Sequence, residues 1–430
     1  KKVLIITYYW PPMGGGGVQR WLKTTKYIRE FGWEPVIFTA DGAEISMYDK
    51  SLFKDIPNGI EVIKSSIWEP FELYKKLMGK KEEKINPGFI QKGKGNNFLQ
   101  NFSIWVRGNF FIPDAKKFWL NSAVKDLSSF LNKNNIDAIV STGPPHTTHL
   151  IARKVAKKFN IPWMADFRDP WTNIDFYHQL KLTSWADKNH KRLEKKVLKD
   201  ADVLLTVSKS WAKDFLSISG VEPIVITNGF DPDDFLEAGK LSLDKNFSIT
   251  HIGSLNKDRN PFVFWEAINE LINEHSNFAT DLEIKLIGPI DISVNEELEK
   301  YNLRLKTTLI DSLPHKDVLS HLIQSQVLLL PLNDVPNING VIPGKMYEYF
   351  GAKRPIICIG KEDGDAADII HKTQTGIVVG FKDKIKLKTE LLDFYNQYKS
   401  GGLHLNSQDY LKYSRKELAS KIADILNTLS

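Results

Sequence analysis

A chain of 430 residues is too long for one ordinary hydrophobic core, and 42% hydrophobic with 26% charged residues excludes the disordered and fibrous classes. A net charge of +6 is too mild to argue for nucleic acid, although it admits anionic ligands and anionic surfaces. No apolar run approaches the roughly 18 to 20 residues that span a bilayer, the first residues do not read as a signal peptide, and a single cysteine excludes an internal disulfide framework, so a cytoplasmic protein is expected.

In chain order, short apolar runs alternate with helical periodicity. Strands are predicted at 3–7, 35–39, 61–64, 137–142, 161–165, 202–207 and 223–227, and again at 247–253, 282–288, 303–310, 326–332, 354–360 and 375–380. Helical patterns at 18–31, 146–159, 184–199 and 407–429 lie between or after them. Continuous apolar strands alternating with helices predict parallel sheets covered on both faces, hence an α/β chain of two doubly wound domains. The seam falls near "ITNGFDPDDF", residues 226–235, and Cys358 reads as inert core.

One segment breaks this rhythm. Residues 75–96 hold seven lysines against two glutamates, and the aromatics Phe98, Phe102, Trp105, Phe110, Phe111, Phe118 and Trp119 follow. Either this is a solvated excursion before a buried amphipathic helix, or residues 75–119 form a surface for a membrane or a lipid-linked acceptor.

The stretch "YYWPPMGGGGVQR", Tyr8 to Arg20, joins the first strand to the first helix through four glycines. A strand, a glycine-rich turn and a helix bring backbone amides to an anion. The loop lacks the Gly-Lys-Ser/Thr ending of a phosphate-binding P-loop, and Val18 and Gln19 stand where a dinucleotide fingerprint needs glycine. Asp41 after the second strand leaves a divergent NAD-dependent oxidoreductase as an alternative. In the second half, "THIGSLNKDRNP" (250–261) places Lys257 and Arg259 in a cationic loop after a strand. "NGVIPGKMYEYFGAKRPIICIG" (339–360) starts a helix at Pro343, with Lys345 and Glu348 three apart on one face. Glu348 is then placed to accept from a diol such as a ribose, and the two cationic loops predict a phosphorylated ligand at the carboxyl ends of these strands.

Taken together, "YYWPPMGGGGVQR", "ADFRDPW" (165–171), "VSKS" (207–210), "TNGFD" (227–231), "HIGSL" with Arg259, and "PGKMYEYFGAKRP" (343–355) occur in the order and spacing of glycosyltransferase family 4, which the chain resembles over essentially its whole length. The resemblance implies the GT-B fold: two Rossmann-like domains facing across a cleft. An acceptor domain of residues 1–228 would be joined by a last helix at 408–430, and residues 229–407 would form the nucleotide-sugar donor domain. It implies a retaining hexosyl transfer that needs no metal and no cofactor, the nucleotide-sugar being a substrate with a UDP-sugar favoured. By position, Arg259 matches the diphosphate-binding cation, Glu348 the ribose glutamate, and Val341, Ile342 and Pro343 the backbone that holds the pyrophosphate, with Lys345 beside them. Gly16 and Gly17 match the loop that leaves room for donor and acceptor.

There are departures from the family pattern. Ser254, after Gly253, stands where many members have arginine, and Gly340 stands where many have a second glutamate that touches the sugar. The usual histidine is replaced by "DFRDPW", so Asp169 and Arg168 become the catalytic candidates, with His146 of "STGPPHTTH" as a third. The aspartates of "DPDD" (231–234) and "DGD" (363–365) are read as loop residues and not as metal ligands. The expected role is surface polysaccharide or glycolipid assembly on a glycan or lipid-linked acceptor at the inner face of the membrane. A non-catalytic nucleotide-sugar-binding protein is the alternative from another class.

Overall fold

The computed structural model describes residues 1–43, 45, 47–68, 97–175, 177–237, 241–403, 405, 407 and 409–429. The whole lysine-rich stretch 75–96, expected to be either a solvated excursion or part of a membrane surface, lies outside the described residues, as does the side chain of Phe98. The chain divides into two compact units. Unit 1 comprises Lys1–Thr227 with Arg415–Ser430, and unit 2 comprises Asn228–Ser414.

Unit 1 is built on β1 (Lys2–Ile6), β2 (Glu34–Asp41), β3 (Glu61–Ser66), β4 (Ala138–Gly143), β5 (Trp163–Phe167), β6 (Val203–Thr206) and β7 (Ile224–Val225). They form one parallel sheet in the order β3-β2-β1-β4-β5-β6-β7. Val3 to Ile6 and all of β4 are buried, which is why both read as unbroken apolar runs with no polar alternation. Helices Gly16–Ile28, Trp119–Leu131, Thr147–Phe159, Ser184–Asp200 and Lys209–Ser219 cover the sheet. The last helix, Arg415–Leu429, packs on Gly16–Ile28 and is pinned by Trp33 to Asn427 at 3.1 Å and Lys416 to Glu30 at 2.6 Å.

Unit 2 holds β8 (Phe247–Ile252), β9 (Leu282–Ile287), β10 (Thr307–Ile310), β11 (Val327–Pro331), β12 (Ile356–Ile359) and β13 (Gly376–Val379), parallel in the order β10-β9-β8-β11-β12-β13. Successive side chains feed two separate apolar clusters: Leu329 and Ile357 join Ile249 and Trp265, whereas Leu328, Leu330 and Cys358 join Met346 and Phe350. Burial pushes the Cys358 thiol up to about 12, so it is chemically quiet at neutral pH. All thirteen strands among the described residues coincide with the predicted apolar runs, with ends shifted by a few residues. The largest shift is in the run 303–310, whose first half is a 3-10 turn, Arg304–Lys306.

In both sheets the order reverses beside the first strand, between β1 and β4 and between β8 and β11. Loops leaving these strand pairs at their carboxyl ends diverge and open a crevice, the usual place for a ligand in such sheets.

Candidate functional site

At the switch point of unit 1 each of the four glycines has its own reason. Gly14 lies against loop 47–49, donating its N–H to the Met47 carbonyl at 2.8 Å, and a Cβ there would sit 3.0 Å from the Cβ of Asp49. Gly15 has φ 91°, a left-handed conformation that suits glycine. Gly17 faces Tyr9 and Arg168, and a Cβ would lie 3.0 Å from the Tyr9 ring. Gly16 alone of the four combines an ordinary φ with open space, no described residue lying within 4 Å of a Cβ there. The helix it begins has neither a side-chain cap nor an acid in its first turn, so its amides face outward unneutralised.

Beneath the loop, Asp166 on β5 is fully buried and gathers donors from three elements. Arg20 meets it at 2.9 and 3.1 Å, the Trp21 indole at 2.7 Å and the Thr142 hydroxyl at 2.9 Å. Arg20 is only 2% exposed and its remaining reach goes to the Thr227 carbonyl, which makes it a support for the loop. Arg168 is likewise committed. Its guanidinium donates to the carbonyls of Gly17, Gly143 and Pro144 and lies over the Tyr9 ring, so it ties the β1 loop to the β4 loop.

Asp169, the next residue, is half-buried and makes no hydrogen bond among the described residues. Desolvation raises its pKa, against the pull of Arg168. His146, where the β4 loop enters the helix Thr147–Phe159, lies flat on Trp171, with ring centroids 4.7 Å apart and an interplanar angle of 2°. Burial and the nearby His149 and Arg168 hold it neutral, and its Nδ1 has no hydrogen-bond partner among the described residues. His149 faces inward. Ser141, whose hydroxyl accepts from Trp163, lies 2.8 Å from His149 Nδ1, and burial, then the Arg168 charge, lowers this ring's pKa to about 3. Gly143 is required beside them, because a Cβ would lie 2.5 Å from His149 Nε2.

At the switch point of unit 2, Gly253 ends β8 with φ 101° and packs on Gly288, whose own Cβ would lie 2.9 Å from the Gly253 carbonyl oxygen. This bare corner receives the Lys345 ammonium, which donates to the Ile252 carbonyl at 2.6 Å. Arg259 is aimed by Asn333 after β11, at 2.9 Å, and by the Ser254 carbonyl at 3.2 Å. Ser254 thus contributes backbone to the site. Burial first, then the Arg259 charge, lowers Lys345 to about 7, with Glu348 opposing.

The short turn Ile338–Gly340 buries Gly340 and leads through Val341, Ile342 and Pro343 into the helix Gly344–Ala352, which again has no side-chain cap and no acid in its first turn. Ile342 is buried, so this segment can offer backbone and not side chain. Glu348 lies one turn on and meets His315 Nε2 at 3.2 Å. Lys345 and Glu348 share a face without pairing directly. Asp233 and Asp234 lie in the first turn of the helix Pro232–Glu237 and Asp365 in that of Asp365–Thr373, positions where carboxylates complement the positive helix end.

Five participants escaped the sequence reading: Asp166, His190, Glu194, His315 and Asn333. Asp166 stands one turn of alternation before Arg168 in the motif already singled out, and strand periodicity alone marks it as inward-facing. His190 and Glu194 are four apart on one helix face, a spacing that could have marked them. Nothing local distinguishes His315 or Asn333, which reach the site only through the sheet order.

Residues 103–229 match the model of a "Glycosyl transferase 4-like domain". The fold is GT-B, and residues 103–229 are similar to a glycosyl transferase 4-like domain. Among solved structures it is similar to an α,α-trehalose-phosphate synthase (UDP-forming) from Burkholderia xenovorans in complex with glucose-6-phosphate, with TM-score 0.63, 12% identity and coverage of 99% of this chain and 100% of that one. HepE from Anabaena, in complex with UDP-glucose, gives TM-score 0.62 at 12% identity with 100% of both chains covered. WaaG, a glycosyltransferase involved in lipopolysaccharide biosynthesis, gives TM-score 0.55 at 13% identity with 99% of both chains covered. At these identities the likeness is one of fold. No curated protein matches the chain by sequence.

Proposed function

We propose that the chain is a retaining glycosyltransferase that moves a hexose from a nucleoside-diphosphate sugar, UDP-linked, to a glycan or lipid-linked acceptor in surface polysaccharide or glycolipid assembly. The observation that carries this reading is in unit 2. Two cations, Arg259 and Lys345, stand with an uncapped helix start and Glu348 at the carboxyl ends of β8 and β11. That set suits a diphosphate on the cations and the amides near Pro343, and a ribose diol on Glu348. Gly253, Ser254, Gly340, Val341 and Ile342 would line it with backbone.

In the reaction the bond between the anomeric carbon and the diphosphate oxygen breaks, and the acceptor oxygen bonds the same carbon. The acceptor proton passes to the departing diphosphate. Charge builds on that diphosphate in an oxocarbenium-like transition state, and fixed cations and helix amides stabilise it without reorganising, so no metal is required of the mechanism. In unit 1, Asp169 would orient the acceptor hydroxyl, neutral His146 would stand beside it, and open Gly16 would leave room. Arg168 would act through the loop it holds.

The lysine-rich stretch within 75–119 supports an acceptor at an anionic membrane, which fits a cytoplasmic, peripheral location. The likeness to WaaG points the same way. Calorimetric titration with UDP and a panel of UDP-sugars tests the donor assignment: Arg259→Ala and Glu348→Ala should each weaken binding. Unchanged affinity in both would sink it.

A further inference from the structure

The loop that carries Asp169 is not held by its own strand alone. Residues 169–172 run out from β5, and two side chains of the helix Ser184–Asp200 fasten them from the side. Glu194, 1% exposed, accepts from the backbone amides of Trp171 and Thr172 at 3.3 Å each and from the Thr172 hydroxyl at 2.5 Å. One helical turn earlier, His190 accepts from the Trp171 indole at Nδ1, 3.0 Å away, and its Nε2 lies 3.3 Å from the Gly108 carbonyl. The two contacts fix one neutral tautomer, with the proton on Nε2, and burial favours that neutral form. Trp171, caught from both sides, is the ring on which His146 lies.

Such an arrangement is costly to build. A carboxyl group and an imidazole are buried, and both Glu194 oxygens and His190 Nδ1 are turned on residues 171–172, although the helix would bury apolar side chains there more cheaply. We propose that Glu194 and His190 are positioning residues that hold Asp169 and His146 in register through Trp171. This rests on the reading of Asp169 and His146 as acceptor-side groups.

The test compares E194A, H190F and T172V with E194Q, H190N and T172S, which keep an acceptor or a hydroxyl where it is needed. Each folded variant is read in two ways: UDP release from UDP-glucose, giving kcat and KM, and hydrogen–deuterium exchange of the Trp171 and Thr172 amides. The disruptive variants should lower kcat and raise exchange by about tenfold or more, the scale of one buried hydrogen bond lost. KM for UDP-glucose should stay within about twofold, because the donor groups belong to unit 2. The conservative variants should recover most of both effects. Unchanged exchange in E194A and H190F overturns the proposal, and so does a loss of kcat matched by an equal loss in E194Q and H190N. Should E194A or H190F fail to fold, T172V against T172S carries the same comparison. If the wild type releases no UDP, the glycosyl-transfer reading fails and exchange alone decides whether the loop is held this way.

Discussion

At the scale of single residues, burial and the Arg259 guanidinium bring Lys345 from its ordinary 10.5 to about 7. A diphosphate needs the ammonium form. Below pH 7 the proton is already present; above it, binding must take one up, so affinity should fall as pH rises, by at most about tenfold per unit. Titrating UDP from pH 6 to 9 checks this, and Lys345→Arg, charged throughout, should flatten the profile. The ligand-free protein should show the opposite trend. Its unfolded chain holds that proton up to about 10.5, so the cost of burying this residue is relieved, and stability rises, as pH climbs from about 7 towards 10. Arg259→Ala should weaken UDP binding by about ten- to a hundredfold, the worth of a charge-assisted hydrogen bond. The cations and Glu348 could be picked out because they sit in short motifs after apolar strands. Their partners could not: Asn333 is 74 positions from Arg259 and His315 is 33 from Glu348, so only the order of the strands brings them together.

At the scale of elements, the glycine loop separates conformational need from empty space. Gly16→Ala adds a methyl to a helix start where no described residue lies within 4 Å, and should leave unit 1 as stable or up to about 1 kcal/mol more so. If a substrate approaches there, turnover falls while the melting temperature does not, a split that calorimetry and a transfer assay resolve. Gly15→Ala, at φ 91°, should instead cost about 1–2 kcal/mol. Below the loop, Asp166→Asn leaves the buried Arg20 without its counter-ion and should destabilise unit 1 by about 3–5 kcal/mol in denaturant titration. The strands were legible because burial on both faces leaves an unbroken apolar run. The jobs of the glycines were not, since a close approach to Met47, a positive φ and an open face all read as the same letter.

At the scale of the molecule, each unit closes its own sheet. Thermal unfolding is therefore not expected to follow a single two-state transition, and UDP at a hundred times its Kd should raise the melting of unit 2 by the equivalent of about 2.7 kcal/mol. Scanning calorimetry with and without UDP reads this directly. The chain path itself has a consequence for biosynthesis. Unit 1 takes its first 227 residues from one end of the sequence and its last helix, Arg415–Leu429, from the other. Leu418, Ile422 and Leu426 of that helix are buried in unit 1. A ribosome therefore releases the means to finish the earlier unit only after the later one has been made. Until then the face of Gly16–Ile28 that packs on it lacks its cover, and a fragment cut at Thr227 would keep that face open.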